Sequence, residues 1–184
     1  MSGEGHGVEI VDARTDAPPG VTAGRLGELL ANVLTVADLA HEVRSHARRA
    51  AGSDGATFVV REGDQCFYVD EDGIAPLWKG QRFPITSCIS GWAMLHGEPV
   101  VIPDITVDER IPQSAYRPTF VRSLLMVPVG GDQPVAAIGA YWASEHRATS
   151  RELSSVSAVA AAAAECLHRI GLESAPWAPN LTGR

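Results

Sequence analysis

ISGWAMLHGEPVVIPDITVDERIPQSAYRPTFVRSLLMVPV, from Ile89 to Val129, is the stretch whose reading decides the fold. Ser87–His96 has the length and composition of a short helix, and Gly97 behind it supplies the left-handed residue that closes such helices. Glu98-Pro99 turns the chain. Pro99–Ile105 is a strand rich in β-branched residues. Thr106–Arg117 is a polar connection with Pro112 in it and room for a short helix. Arg122–Val129 then runs as a second strand, apolar enough to be buried on both faces.

Upstream, Asp72–Thr86 reads as irregular and carries Trp78, Lys79-Gly80 and Phe83-Pro84. Before it, Ala56–Arg61 and Cys66–Asp70 are β-rich runs joined by Glu62-Gly63-Asp64, the signature of a hairpin. A long helix is expected over Leu26–Ala50, where Leu29, Val33, Val36, Ala40 and Val43 form a heptad-like seam. The run Ala51-Gly52-Ser53-Asp54-Gly55 stops it. Downstream, Gly130-Gly131-Asp132 turns into a last strand, Pro134–Ala143. Thr149-Ser150-Arg151-Glu152 is a capping box that opens a final helix. On that helix Leu153, Val156, Ala160, Ala163, Leu167 and Ile170 make a second seam, with alanines small enough for close approach.

Residues 1–24 are rich in Gly, Pro, Asp and Glu and read as a flexible leader; 25–171 form one domain and 172–184 a loose tail. The hairpin-type turns argue for an antiparallel sheet, so the fold class is α+β, with the terminal helices on one face and the short middle elements on the other.

Composition narrows the function. The 184 residues are 45% hydrophobic and 20% charged, as in a globular protein, and the formal net charge is -7. An acidic chain lacks the clustered Lys and Arg that nucleic acid or an anionic membrane requires, so neither is an expected partner. The start has no signal-peptide pattern and no run approaches a membrane span. Cys66, Cys88 and Cys166 are odd in number and far apart in sequence, with no CxxC pair or metal spacing. They read as small buried residues of a reduced, cytoplasmic protein, with no metal expected.

The run Ile89–Val129, in this order of elements, resembles a GAF domain, the small-molecule-sensing module of many signalling proteins. The likeness covers about residues 26–170 and is nearest to the GAF domains at the front of bacterial sensor histidine kinases. It implies a pocket between the sheet and the segments Trp78–Trp92 and Ile105–Phe120. Carried over residue by residue, the expected ligand-binding set is Trp78, Phe83, Cys88, Trp92, Tyr116, Arg117, Phe120 and Met126. Cys88, Trp92 and Leu95 are expected on one helix face, and Arg117 or Arg122 is a candidate partner for a carboxylate or phosphate.

No cofactor is named by these residues. The expected function is a stand-alone sensory domain that binds a small molecule and signals through its terminal helices to a partner protein. The chain stops shortly after its last helix, so a homodimer, built as a four-helix bundle on the two seams, is expected as well. A ligand-free dimerisation or interaction module is the alternative. Two thiol-based options follow from the resemblance. Asp64-Gln65-Cys66-Phe67 matches a signature of bilin-binding GAF photoreceptors but lies in the wrong element. Free methionine-sulfoxide reductases need a second pocket cysteine, and Ile111–Phe120 has none. No catalysis is therefore expected, and no catalytic residue is assigned.

Overall fold

The capping box at Thr149 shows how directly local chemistry sets the elements. The Glu152 N–H donates to the Thr149 hydroxyl at 3.2 Å, and the Glu152 carboxylate accepts the Thr149 N–H at 2.6 Å. Two donors that a helix start leaves orphaned are thereby satisfied, and α5 runs from Ser150 to Arg169. In the computed structural model, which describes residues 23–171, α5 is joined by α1 (Ala23–Leu30) and α2 (Val36–Ala51). The expected tail, and the leader but for its last two residues, lie outside the described residues.

The strands are β1 (Gly55–Glu62), β2 (Gln65–Gly73), β3 (Arg82–Pro84), β4 (Val100–Ile102), β5 (Ser123–Val129) and β6 (Ala136–Trp142). Two short helices, α3 (Ile89–His96) and α4 (Gln113–Tyr116), lie in the middle of the chain. The sheet order is β3-β2-β1-β6-β5-β4, and every pairing is antiparallel. This is the α+β architecture expected.

Alternation along the strands sorts the side chains into two cores. On β5, Leu125 and Val127 face α2 and α5, while Leu124 and Met126 face α3. On β6, Ile138, Ala140 and Trp142 join the helical side, and Ala137 and Tyr141 the other. Both sides are apolar, which is why β5 and β6 read as continuous hydrophobic runs.

Three expectations need correction. The long helix over Leu26–Ala50 is two helices. Thr35 interrupts it as an N-cap, its hydroxyl accepting the Asp38 N–H at 3.1 Å. Arg169 on α5 donates to the Leu30 carbonyl at the end of α1 and to the Val33 carbonyl in the gap. Capping at both ends of the gap outweighs the apolar periodicity. Second, the irregular segment contains β3, which pairs with Gln65–Phe67 at the sheet edge. Third, the seams do not point outward. Val36, Ala40, Val43, Val156, Ala160 and Ala163 are all buried against the chain's own sheet, while Leu29 is exposed.

Candidate functional site

The far face of the sheet, away from α2 and α5, carries a polar constellation inside an apolar shell. Tyr68 from β2 and Tyr141 from β6 point into it because alternation puts them on that face. Tyr116 comes from α4. Trp78 sits at the centre of the three, with ring centroids 5.5 Å from Tyr68, 4.8 Å from Tyr116 and 5.5 Å from Tyr141. Such tilted and edge-on geometries are the favoured ones for aromatic pairs.

Glu71 holds Trp78 in place. Its carboxylate accepts the backbone N–H groups of Leu77, Trp78 and Lys79 at 2.8, 2.7 and 2.7 Å. The indole N–H donates to the Ala115 carbonyl at 3.0 Å, tying the loop to α4. A loop segment becomes a fixed wall because its donors are all satisfied.

The hydroxyls differ in their partners. Tyr141 pairs with Thr57 at 2.9 Å and Tyr68 with Ser90 at 3.2 Å. Gly139 makes the first contact feasible: a Cβ there would stand 2.1 Å from the Tyr141 oxygen. The Tyr116 hydroxyl is buried and has no hydrogen-bond partner among the described residues. Buried polar groups are paired in the great majority of cases, so this one requires an explanation. Burial is the first cause that pushes all three phenols above the usual tyrosine range, so all three keep their protons.

Two thiols complete the cluster. Cys88 is the residue before α3 and Cys66 lies on β2; both are free and buried. The Cys88 sulfur is 3.3 Å from the Ser90 hydroxyl, and Cys66 lies in the same far-face core. The Cys66 thiol beside it, then the Ser90 hydroxyl and the Gly91 N–H, outweigh burial and bring Cys88 down to about 7. Cys66 is pushed up, by its contact with Cys88 and by burial.

Of the expected ligand-binding residues, Trp78, Cys88, Tyr116 and Met126 are buried in this far-face core, and Phe83 packs on it edge-on to Tyr68 at 5.5 Å. Trp92 is at the rim, stacked on His96 at 4.0 Å with the Arg110 guanidinium 5.0 Å from its ring. Phe120 covers Gly55 and Gly73, where its ring would meet an added Cβ. Arg117 is exposed. Arg122 pairs with Glu145 at 2.9 Å and Asp104 at 3.5 Å, outside the cluster. The expected face of Cys88, Trp92 and Leu95 is not the buried face of α3. Ile89, Ser90, Ala93 and Met94 turn inward and Leu95 is exposed.

Sequence reasoning missed Tyr68, Tyr141, Ser90 and Glu71. The two tyrosines were within reach through strand alternation. Glu71 was not, since its role depends on where the following loop folds back. A separate groove of about 540 Å³ lies on the helical side, lined by Gly130, Gln133, Val135, Ala164 and Leu167. It contains none of the expected residues. Among the described residues no cluster of three or more His, Cys, Asp or Glu could hold a metal, and no helix is long and apolar enough to cross a membrane.

An antiparallel sheet with long helices on one side and loops and short helices on the other is the architecture of GAF modules. Residues 33–168 match the family model of the GAF domain, and the chain belongs to that family. No curated protein sequence matches it. Among solved structures, it is similar to the free methionine-R-sulfoxide reductase of Neisseria meningitidis determined with its substrate (TM-score 0.65, 20% identity, 80% of this chain and 87% of that one). It is also similar to the GAF-B domain of DevS from Mycobacterium smegmatis (0.60, 20%, 72% and 93%). A third is the GAF domain of the Acinetobacter phosphoenolpyruvate-protein phosphotransferase (0.68, 13%, 81% and 94%). At these identities the likeness establishes the fold.

The expectation of no catalysis is corrected by these findings. An enzyme stands among the similar structures, so membership of this fold does not exclude catalysis. Cys66 and Cys88 also share the far-face core, so that side of the sheet holds a second thiol outside Ile111–Phe120.

Proposed function

We propose that this chain is a sensory GAF domain that binds a small molecule on the far face of its sheet. Occupancy would pass through α1, α2 and α5 to a partner protein or a second copy of the chain, in the manner of the GAF domains that precede histidine kinases. The observation that carries the reading is the Tyr116 hydroxyl, buried beside Trp78 and without a hydrogen-bond partner among the described residues. A phenol kept protonated by burial is a hydrogen-bond donor awaiting an acceptor. The ligand class is a small, partly apolar or aromatic molecule with an acceptor oxygen or nitrogen for Tyr116 and a face for Trp78.

The route to the helices is short. Tyr141 on the ligand side stands between Ala140 and Trp142, which pack on the helical side. A ligand that shifts Tyr141 shifts β6, and with it the surface on which α2 and α5 rest. Coupling requires only that the ligand prefer one of two packings.

Non-denaturing mass spectrometry of freshly purified protein tests the reading. The expected result is a small molecule released on denaturation and held about three- to tenfold less tightly by Tyr116→Phe, the worth of one neutral hydrogen bond. Protein that carries no added mass, and whose thermal midpoint none of a panel of small carboxylates, phosphates and aromatic acids raises, would show instead that the aromatic cluster is only a core.

A further inference from the structure

We propose that segment 172–184 of this chain docks in the groove on the helical side, with the Trp177 indole as its anchor. The inference stands apart from whatever the far face binds.

The groove forms where the last turns of α5 pass the connection between β5 and β6. Val135, Ala164 and Leu167 supply apolar walls, and Gln133 and Glu165 set acceptor oxygens among them. Gly130-Gly131 adds backbone without side chains, and a Cβ at Gly131 would meet nothing within 4 Å. The folded domain leaves Val135 and Ala164 only half-buried, although both adjoin the helical core. At about 540 Å³ the groove falls within the ~300–1,000 Å³ of ligand sites and has more room than one aromatic ring fills.

The occupant is identified by position and by composition. α5 ends at Arg169, and Gly171 takes a left-handed φ of 79° with its N–H donating to the His168 carbonyl at 3.0 Å. Such a turn ends a helix and carries the chain off its axis. His168 itself lines the groove, so segment 172–184 begins at the groove's edge. Trp177 stands six residues beyond Gly171, a reach of about 20 Å for extended chain. Ala164, the groove residue farthest back along α5, is only about 10 Å along the helix from Gly171.

The sequence of the segment suits the site. In LESAPWAPNLTGR, Trp177 is the single aromatic residue and lies between Pro176 and Pro179. Proline restricts φ and so reduces the entropy lost when a segment is held. An indole brings a large apolar face for Val135, Ala164 and Leu167 and one N–H for the oxygens of Gln133 or Glu165. The tether adds the decisive factor. A short linker holds two groups at about millimolar effective concentration, so a contact too weak to join separate molecules is enough. The same segment of a second copy would have to compete against that.

The test uses the full chain labelled with 5-fluorotryptophan and read by fluorine NMR. The chain has 4 tryptophans, and Trp177→Phe identifies the resonance that belongs to position 177. We expect a soluble gadolinium chelate to broaden the Trp177 signal about tenfold less than that of free 5-fluorotryptophan, the ratio for an undocked population of about 10%. We expect Overhauser contacts from its ring to the methyl groups of Val135 and Leu167. Ala164→Lys lays a charged stem across the groove and should restore full broadening, while the signals of buried Trp78 and Trp142 stay protected. A wild-type Trp177 signal broadened like the free amino acid overturns the proposal, whether or not the variant folds. Contacts to methyl groups elsewhere in the domain overturn it too, as do Val135 and Leu167 methyls that contact a co-purified small molecule instead. Protection that fades on dilution assigns the groove to the segment of a second copy and overturns docking within one chain.

Discussion

At the scale of residues, Tyr116 carries a conflict between stability and binding. Its hydroxyl has left water without finding a partner among the described residues, which costs on the order of 1–3 kcal/mol in the ligand-free fold. Phenylalanine keeps the ring contact with Trp78 at 4.8 Å and removes that cost. Tyr116→Phe should therefore raise the stability of ligand-free protein by about 1 kcal/mol, read as a higher urea midpoint at unchanged slope, while it weakens binding. A lower midpoint in ligand-free protein would mean that the hydroxyl is already satisfied, and the case for a ligand at this point would go with it. Tyr68 serves as the control. Its hydroxyl is paired with Ser90, so Tyr68→Phe leaves Ser90 short of a partner and should destabilise the protein.

At the scale of elements, α3 is positioned by one glycine. The Cβ of an alanine at 91 would meet the carbonyl oxygen, carbonyl carbon and Cα of Ile85 at 1.8, 2.6 and 2.9 Å. All three are backbone atoms, so nothing can rotate aside. Gly91→Ala should cost about 3 kcal/mol, the upper end for overpacking, as α3 moves off the turn. Thermal unfolding measures this cost; a variant with the wild-type midpoint would refute the packing described here. The sequence marks Gly97 as the closing glycine, which has the positive φ of 66° that position needs, but nothing in it marks Gly91, which needs space. That contrast shows what was legible. Features set by neighbours in sequence were: the capping box at Thr149, the hairpin between β1 and β2, the closing glycine of α3, and the apolar runs of β5 and β6. Features set by approach between distant segments were not. They include the clamp of Arg169 on the end of α1, the edge pairing of β3 and the Glu71 anchor of Trp78.

For the whole molecule, the question is what the helical seams are for. Val36, Ala40 and Val43 on α2 and Val156, Ala160 and Ala163 on α5 have the spacing of a coiled coil, which is why a four-helix dimer was expected from them. Each of these residues instead rests in the core between the helices and the sheet, with Ala163 fully buried. The same spacing serves both purposes, since a helix covering a sheet also needs one apolar stripe. The alanines let α5 come close to the sheet and to α2. A glutamate at Ala163 would place an unpaired charge among Val43, Val156 and Leu167, a change worth several kcal/mol. Ala163→Glu should therefore unfold the chain rather than split a dimer. Circular dichroism should show loss of helix and a lowered or absent melting transition at any protein concentration. Leu29→Glu, on the exposed side of α1, should leave stability within about 0.5 kcal/mol. If Ala163→Glu gives a folded protein of unchanged stability and sedimentation finds only that its mass has halved, the seam is an interface between copies and the core described here is wrong at its helical side.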